Sequence, residues 1–357
     1  MSSLFSKAKV GSLELQNHLV MSPLTRSRAP GNIPNDLMAE YYGQRATMGL
    51  IITEGTSPSP NGLGYSSIPG IYSDEQVAGW KKVTDAVHAK GGKIFVQLMH
   101  TGRISHVLNM PKGARIVAPS AVQAAGQIFT AEGMKDHPVP QEMSAADIIV
   151  AQAEFVKAAT NAVKAGFDGV ELHAANGYLL EQFLRKNSNT RTDNYGGSIE
   201  GRARFVLEVA EATIAAIGKD KVGIRLSPFG AASDMHPYPE MEADYGWLAG
   251  KLNALGLAYV HLVDHSAMGA PAVPASMRAT FRSTFKNTLI LAGGYDGKSA
   301  EADLAAGKAD LFAFGRPALA NPDLVKRLKT DAALNAPDMA TAYAGGAKGY
   351  TDYPTLA

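Results

Sequence analysis

The residues His173-Ala174-Ala175-Asn176-Gly177-Tyr178 directly follow the apolar run at 169–172. An imidazole, a carboxamide and a phenol at the end of a buried strand can bind an electron-rich oxygen and deliver a proton close to it. This chemistry needs no metal ion. One histidine at a strand end is more often structural than catalytic, but three polar groups within six residues favour a catalytic site.

The elements that position this segment follow from hydrophobic periodicity. Short apolar runs alternate with longer amphipathic segments, which is typical of parallel strands joined by helices. Strands are predicted at 18–23, 50–57, 93–100, 169–175, 222–228, 259–264, 289–293 and 310–315, and helices at 36–47, 74–90, 145–165, 199–217, 241–255, 299–306 and 321–329. Eight such units in 357 residues match an α/β fold of the closed (β/α)8 TIM-barrel type better than an open sheet. We expect one domain over residues 1–357.

Local signals refine this outline. Gly11-Ser12 between Val10 and Leu13 predicts an N-terminal β-hairpin that caps the barrel. Residues 101–142 are too many for an ordinary connection, so we expect a long functional excursion after the third strand. Ser144 and Asp147 predict a capping box, and Pro322 predicts the start of the last helix.

Composition excludes several classes of protein. The 34 basic and 33 acidic residues give a net charge of +1, which predicts a small-molecule partner and neither nucleic acid nor an anionic membrane. The absence of cysteine excludes disulfides, thiolate nucleophiles and iron–sulfur clusters, so redox chemistry requires a bound cofactor. We expect a cytoplasmic protein, because neither a signal peptide nor an apolar run of 18 residues is present.

Residues at the carboxyl ends of the predicted strands are the candidates for an active site, because barrel enzymes place it there. They are Thr25, Glu54, Gly55, Gln97, His100, His173, Arg225, Gly293, Gly294, Gly315 and Arg316. The glycines after the last two strands, with Arg316, favour a phosphate site, although each alone is equally well explained as a tight turn or a surface charge. The glycine spacing does not match GxGxxG, so a mononucleotide fits better than a dinucleotide.

Six segments in this order resemble the old yellow enzyme family of FMN-dependent ene-reductases over nearly the whole chain: SPLTR at 22–26, QLMHTGR at 97–103, HAANGY at 173–178, RTDNYGGS at 191–198, FGR at 314–316 and GYTDYP at 349–354. The resemblance implies a tightly but non-covalently bound FMN across the barrel mouth. The residues implied to contact the flavin ring are Pro23, Leu24, Thr25, Gly55, Gln97 and Arg225, and those implied to hold the phosphate are Gly293, Gly294, Gly315 and Arg316.

The resemblance also implies the reaction. NADPH or NADH reduces the flavin and leaves, and an activated alkene then takes hydride from flavin N5 in a ping-pong sequence. His173 and Asn176 would bind the substrate oxygen, and Tyr178 would protonate the α carbon. Thr25, Tyr65, Met99, His173, Asn176 and Tyr343 would line the substrate pocket. Enones, enals, maleimides and nitroalkenes are the expected substrates, with nitrate esters and nitroaromatics as further candidates.

This chain departs from the family pattern at Met99, where many relatives carry tryptophan, so the stereochemical outcome stays open. Other flavin barrels, namely dienoyl-coenzyme A reductases and dihydroorotate dehydrogenases, are alternatives, although the former kind needs the cysteines that this chain lacks. A metal-dependent hydrolase using His100, His173, His261 and His265 is a weaker alternative, because their spacing matches no ligand motif. A flavin-storage protein would not need Tyr178. The physiological substrate, the preference for NADPH or NADH, and the choice between monomer and homodimer stay open.

Overall fold

Eight parallel strands close into a barrel whose order around the ring follows the order in the chain. The structure is a computed structural model that describes residues 3–343 and 345–356. Its strands are β1 (Ala8–Val10), β2 (Leu13–Leu15), β3 (Leu19–Met21), β4 (Leu50–Thr56), β5 (Ile94–Leu98), β6 (Val117–Ala118), β7 (Gln127–Thr130), β8 (Gly133–Asp136), β9 (Gln141–Glu142), β10 (Gly169–Ala174), β11 (Val222–Leu226), β12 (Tyr259–Val263), β13 (Thr288–Ala292) and β14 (Leu311–Phe314). The barrel consists of β3, β4, β5 and β10 to β14, which confirms the predicted TIM barrel.

Helices pack around the barrel between successive strands. They are α1 (Asp36–Gln44), α2 (Asp74–His88), α3 (Ala145–Lys164), α4 (Leu179–Leu184), α5 (Ile199–Ile217), α6 (Met241–Leu255), α7 (Ala275–Thr284), α8 (Gly297–Ala305), α9 (Arg316–Ala320) and α10 (Leu324–Lys329). No helix within the described part of the chain is long and apolar enough to cross a membrane.

Side chains alternate between two environments along each barrel strand, because successive residues of a strand point to opposite faces. On β10, Val170 and Leu172 belong to the core between strands and helices. Glu171 instead contacts His261 on β12, which is separated from β10 by β11, so Glu171 points into the barrel. This alternation also directs His173 inward, at the carboxyl end of the strand.

The N-terminal hairpin covers the opposite end of the barrel, as predicted. In the antiparallel pair of β1 and β2, Val10 lies opposite Leu13, so Gly11 and Ser12 form the turn. Val10 and Leu15 pack with the inward-facing Leu50 and Phe95. Gly11 has φ +54°, and a Cβ at this position would collide with the carbonyl oxygen of Asp220. The turn therefore requires glycine. The hairpin covers the barrel interior at the amino ends of the barrel strands.

Of the predicted local features, the capping box and the long excursion are confirmed, and one helix start is wrong. Ser144 and Asp147 form the predicted capping box at the start of α3, and residues 101–142 form an excursion that contains the β7–β8 hairpin and the β6–β9 pair. The prediction for Pro322 was wrong: α10 begins at Leu324, and the proline at a helix start is Pro317 in α9. Asp323 interrupts the predicted helix with non-helical backbone as the N-cap of α10. Helices α4, α7 and α9 were not predicted.

Candidate active site

A tight turn at the end of β10 positions the three residues of the HAANGY segment. Asn176 adopts a left-handed conformation with φ +59°, and Gly177 follows with φ +78°. The backbone N–H of Asn176 donates to Ser227 Oγ at 2.8 Å, and that of Gly177 donates to Glu181 Oε2 at 2.7 Å. Tyr178 is then the N-cap residue of α4. These bonds fix the turn, so the side chains of its residues have defined directions relative to His173.

The structure brings His173, Tyr178 and Tyr65 into one aromatic group. The Tyr178 ring meets the His173 ring edge-on, with 4.9 Å between ring centroids. The hydroxyls of Tyr178 and Tyr65 share a hydrogen bond of 3.1 Å. Tyr343 lies near both phenols, and its side chain is mostly exposed. Two residues from separate loops, Tyr65 and Tyr343, are thus placed beside the β10 turn, although nothing in their local sequence indicates it.

Burial controls the protonation of these groups. Burial, reinforced by the charge of Arg225, lowers the pKa of His173 well below its ordinary value, so the imidazole is neutral at pH 7. Burial raises the pKa of Tyr178, so the phenol keeps its proton. His173 Nδ1 and Asn176 Oδ1 are buried without a hydrogen-bond partner in the described structure. Unpartnered buried polar groups are costly unless a ligand satisfies them, which indicates a binding site.

Arg225 on β11 lies beside His173 and is a buried cation without a direct partner. Its side chain forms no hydrogen bond or ion pair with any residue that the structure describes, and its Nε atom is buried. Burial lowers the pKa of Arg225, an effect that the charge of Glu171 opposes. A guanidinium remains protonated in proteins, so this one is suited to an electron-rich ligand group. Gln97 lies on β5, next to β10, and donates from Nε2 to Glu171 at 2.8 Å.

The ends of the adjacent strands β13 and β14 form a candidate phosphate site. Gly293 and Gly294 are exposed and have φ values of +130° and +69°. A Cβ at Gly293 would collide with the carbonyl oxygen of Asp264, so glycine is required there. Gly315 is the N-cap of α9, and the exposed Arg316 follows it without an ion pair or hydrogen bond to any described residue. Backbone N–H groups and a free guanidinium are therefore available at one edge of the barrel mouth.

The loop after β3 carries Pro23, Leu24 and Thr25 and is fixed at both ends. Ser22 N–H donates to the carbonyl of Phe314 at 3.0 Å, and Arg26 N–H donates to Glu54 Oε2 at 3.1 Å. Pro23 is buried, whereas Leu24 and Thr25 are partly exposed and available for a ligand. Burial raises the pKa of Glu54 to about 7, although its bond from Arg26 acts in the opposite direction.

Gly55 lies on the neighbouring strand, directly after a bulge in β4, and faces Met99. A Cβ at Gly55 would collide with the Met99 sulfur. Met99 is buried with Leu63 and Ile68, and Tyr65 and Tyr178 pack against this cluster. Met99 thus forms part of the wall beside the two phenols. A thioether side chain is flexible, so the shape of this wall can adapt.

Two sets of contacts in or near the site were not predicted from the sequence. Glu171 and His261 form a buried pair inside the barrel, with 2.9 Å between Oε2 and Nδ1. Arg26 and Arg28 bind backbone carbonyls of the C-terminal segment, including those of Ala342 and Thr341, which precede Tyr343. Their contacts join parts of the chain that are distant in sequence, so local patterns contain no signal for them.

The four histidines weighed as metal ligands do not form a metal site. Among residues 3–343 and 345–356, no group of three or more His, Cys, Asp or Glu side chains could hold a metal ion. His261 instead binds Glu171, and His100 Nδ1 accepts from the N–H of Gly102 at 3.1 Å.

Comparisons with known proteins identify the family and the fold of this chain. Residues 3–335 match the sequence profile of the NADH:flavin oxidoreductase / NADH oxidase family. The chain is 43% identical to a probable flavin mononucleotide-dependent alkene reductase from Leishmania infantum, over 97% of this chain and 96% of that protein. The structure of morphinone reductase in complex with tetrahydroNAD is 46% identical, with a TM-score of 0.95 and coverage of 99% and 98%. An old yellow enzyme homologue from Zymomonas mobilis has 41% identity, a TM-score of 0.95 and coverage of 99% and 100%.

Proposed function

Because the chain belongs to the NADH:flavin oxidoreductase / NADH oxidase family, whose members are FMN-dependent NAD(P)H oxidoreductases, we propose that it reduces activated C=C bonds. The observation that carries this proposal is the group of His173, Asn176 and Tyr178 at one strand end. It combines a neutral imidazole, an unpartnered carboxamide and a protonated phenol. A flavin-storage protein would need no such group.

The residues at the mouth fit FMN. Neither the Arg225 guanidinium nor Gln97 Oε1 has a hydrogen-bond partner among the described residues, so both are available to the pyrimidine side of a flavin. Gly293, Gly294, Gly315 and Arg316 would hold the phosphate, and Pro23, Leu24, Thr25 and Gly55 would contact the ring. When bound, FMN takes hydride from NAD(P)H and transfers it to the alkene.

His173 and Asn176 would bind the carbonyl or nitro oxygen of the alkene. Donors aimed at an oxygen that gains negative charge stabilise the transition state more than the ground state. The neutral His173 can donate one N–H, and the Asn176 carboxamide can donate a second. Loss of one such donor typically costs about 10²-fold to 10³-fold in rate.

Tyr178 would protonate the α carbon of the alkene. Its raised pKa keeps the proton on the phenol until carbanion character develops at that carbon. The bond to Tyr65 orients the Tyr178 hydroxyl and connects it to a second phenol that is partly exposed. Tyr65 would therefore help to return the proton after each turnover.

Thr25, Tyr65, Met99 and Tyr343 would form the wall of the pocket, together with His173 and Asn176. An aromatic and thioether lining favours flat, largely apolar substrates that carry one polar activating group. Enones, enals, maleimides and nitroalkenes meet this description, and nitrate esters and nitroaromatics are further candidates. NAD(P)H and the alkene would use the same mouth in turn, which gives ping-pong kinetics.

An anaerobic steady-state assay with NADPH and 2-cyclohexenone tests the proposal. We expect one cyclohexanone for each NADPH consumed, and parallel double-reciprocal plots when both concentrations are varied. Cyclohexanone is identified by gas chromatography, and protein stripped of flavin serves as the blank. NADPH consumption that requires oxygen and yields no cyclohexanone contradicts the proposal.

A further inference from the structure

Glu171 is a fully buried carboxylate that the proposed chemistry does not use. It lies inside the barrel, two residues before His173 on β10. Gln97 Nε2 donates to its Oε1 atom at 2.8 Å, and His261 Nδ1 donates to its Oε2 atom at 2.9 Å. Both carboxylate oxygens are thus engaged, one by the neighbouring strand β5 and the other across the barrel interior by β12. Below this group, the N-terminal hairpin and the inward-facing apolar residues exclude water.

The protonation states of Glu171, His261 and Arg225 depend on burial and on the interactions among these residues. Burial alone would raise the pKa of Glu171, but its contact with His261, the charge of Arg225 and the hydrogen bond from Gln97 lower the pKa below its ordinary value. Burial lowers the pKa of His261, so its ring is neutral at pH 7. Glu171 therefore carries the negative charge and Arg225 the positive charge. Both side chains are buried, and buried charges are screened less than charges at a protein surface.

Glu171 also determines which end of the Gln97 amide is free. An ionised carboxylate can only accept hydrogen bonds, so it binds the NH₂ end of Gln97. The Oε1 atom is left without a hydrogen bond to any described residue. A glutamine without such a neighbour could present either its oxygen or its nitrogen to a ligand.

We propose that Glu171 is a positioning residue of the flavin site, which holds Gln97 with its oxygen free for the cofactor and partly offsets the charge of Arg225. The inference rests on the proposed function, because it requires FMN against Gln97 and Arg225. Reduction adds negative charge to the flavin, which Arg225 favours and Glu171 opposes. Glu171 therefore lowers the flavin reduction potential, and the flavin remains a strong enough reductant to pass hydride to an alkene.

Glu171→Gln tests the charge with little change in shape. The introduced carboxamide oxygen can accept from Gln97, and its NH₂ group can donate to His261 in the other tautomer, because His261 Nε2 has no partner among the residues that the structure describes. We expect the ratio of reduced to oxidised flavin at a fixed redox poise to rise about tenfold. This change corresponds to about 30 mV for a two-electron couple. The measurement is a spectroscopic redox titration of the holoprotein with a dye of known potential.

Two further variants separate the effect of the Glu171 charge on the flavin potential from the effect of Glu171 on the orientation of Gln97. Asp168→Asn removes one carboxylate at the opposite end of the barrel, where Asp168 binds His88, and should change the ratio less than about twofold. Glu171→Asp keeps the charge but withdraws it from Gln97. We expect its potential to match the wild type and its FMN dissociation constant, measured by fluorescence on reconstitution, to rise about tenfold.

The outcomes distinguish this inference from the proposed function. A Glu171→Gln potential equal to or below that of the wild type overturns the charge role. Unchanged FMN affinity in Glu171→Asp overturns the positioning role, and this variant carries the test if Glu171→Gln does not fold. If the wild-type protein binds no FMN, both the proposed function and this inference are wrong. If the wild type binds FMN but the variants keep its reduction potential and its FMN dissociation constant, only this inference is wrong.

Discussion

The Tyr178 side chain contacts the ring of His173 and forms a hydrogen bond with the hydroxyl of Tyr65. His173 is neutral because it is buried beside the Arg225 cation, so it does not compete as an acid. In the proposed function, His173 and Asn176 would therefore bind the substrate oxygen, and Tyr178 would supply the proton. This division predicts that single substitutions affect different steps.

Tyr178→Phe should leave flavin reduction by NADPH nearly unchanged and slow alkene reduction by about 10²-fold to 10⁴-fold, the usual contribution of a general acid. The two steps are measured separately by anaerobic stopped-flow absorbance. Tyr65→Phe is the matched control, because it removes one hydroxyl of the same pair but not the proton donor, and its effect should be smaller. Equal loss in both steps for Tyr178→Phe would refute the proton-donor role.

His173→Ala should weaken the binding of phenolic ligands by about 10-fold to 100-fold, because a hydrogen bond to a charged oxygen is worth about 1.5–3 kcal/mol. The measurement is a titration that follows the absorbance change of the bound flavin. An unaltered dissociation constant would count against the oxygen-binding role of this residue.

At the scale of elements, the barrel brings together residues from strands that are distant in sequence. The ends of β13 and β14 place Gly293 and Gly294 beside Gly315 and Arg316. Thr25, in the loop after β3, and Gly55, at the bulged end of β4, lie at the carboxyl ends of two neighbouring strands. In the proposed function, the phosphate and the ring of the cofactor would bind to separate elements, so the two contacts can be tested independently.

Arg316→Ala should weaken FMN by about tenfold or more without weakening riboflavin, because riboflavin lacks the phosphate that the guanidinium would bind. Dissociation constants for both flavins are measured by fluorescence quenching of the stripped protein. Lys308→Ala, a cation paired with Asp303 near the other end of β14, is the control and should affect neither. A similar loss of both flavins in Arg316→Ala would show that Arg316 does not bind the phosphate.

Periodicity predicted all eight barrel strands because each contains a short run of apolar residues and is buried over most or all of its length. It missed α4 and α9, which have six and five residues and are too short to show a helical period. It missed α7 because only Met277 and Phe281 of this helix are buried. Residues at strand ends were predictable because all parallel strands of a barrel end at one mouth. Glu171 and His261 were not, because their contact crosses the barrel interior.

At the scale of the whole molecule, several histidines are buried in neutral form, which makes the fold sensitive to acid. Burial lowers the pKa of His100 to about 3, and it also lowers the pKa of His173 and His261. Below pH 6.5 the unfolded chain binds protons at these positions and the native state does not. Acid therefore favours unfolding, and the stability present above pH 6.5 is lost as the pH falls.

His100→Asn should reduce this pH dependence. Each buried neutral histidine costs the native state about 1.4 kcal/mol per pH unit below its unfolded pKa, until its folded pKa is reached. Asparagine can still accept from the N–H of Gly102 but does not titrate. We expect the variant to be less stable at pH 7 and the difference from the wild type to narrow at pH 6 and pH 5, as measured by urea unfolding. If the free energies of unfolding of the variant and the wild type fell in parallel with pH, His100 would not be buried in its neutral form.

The most direct test of the central claim is an anaerobic absorbance titration of the purified protein. We predict a yellow oxidised flavin spectrum that is bleached by one equivalent of NADPH and restored by one equivalent of 2-cyclohexenone, with no oxygen present. A bleached flavin that oxygen restores but 2-cyclohexenone and other activated alkenes do not would contradict alkene reduction.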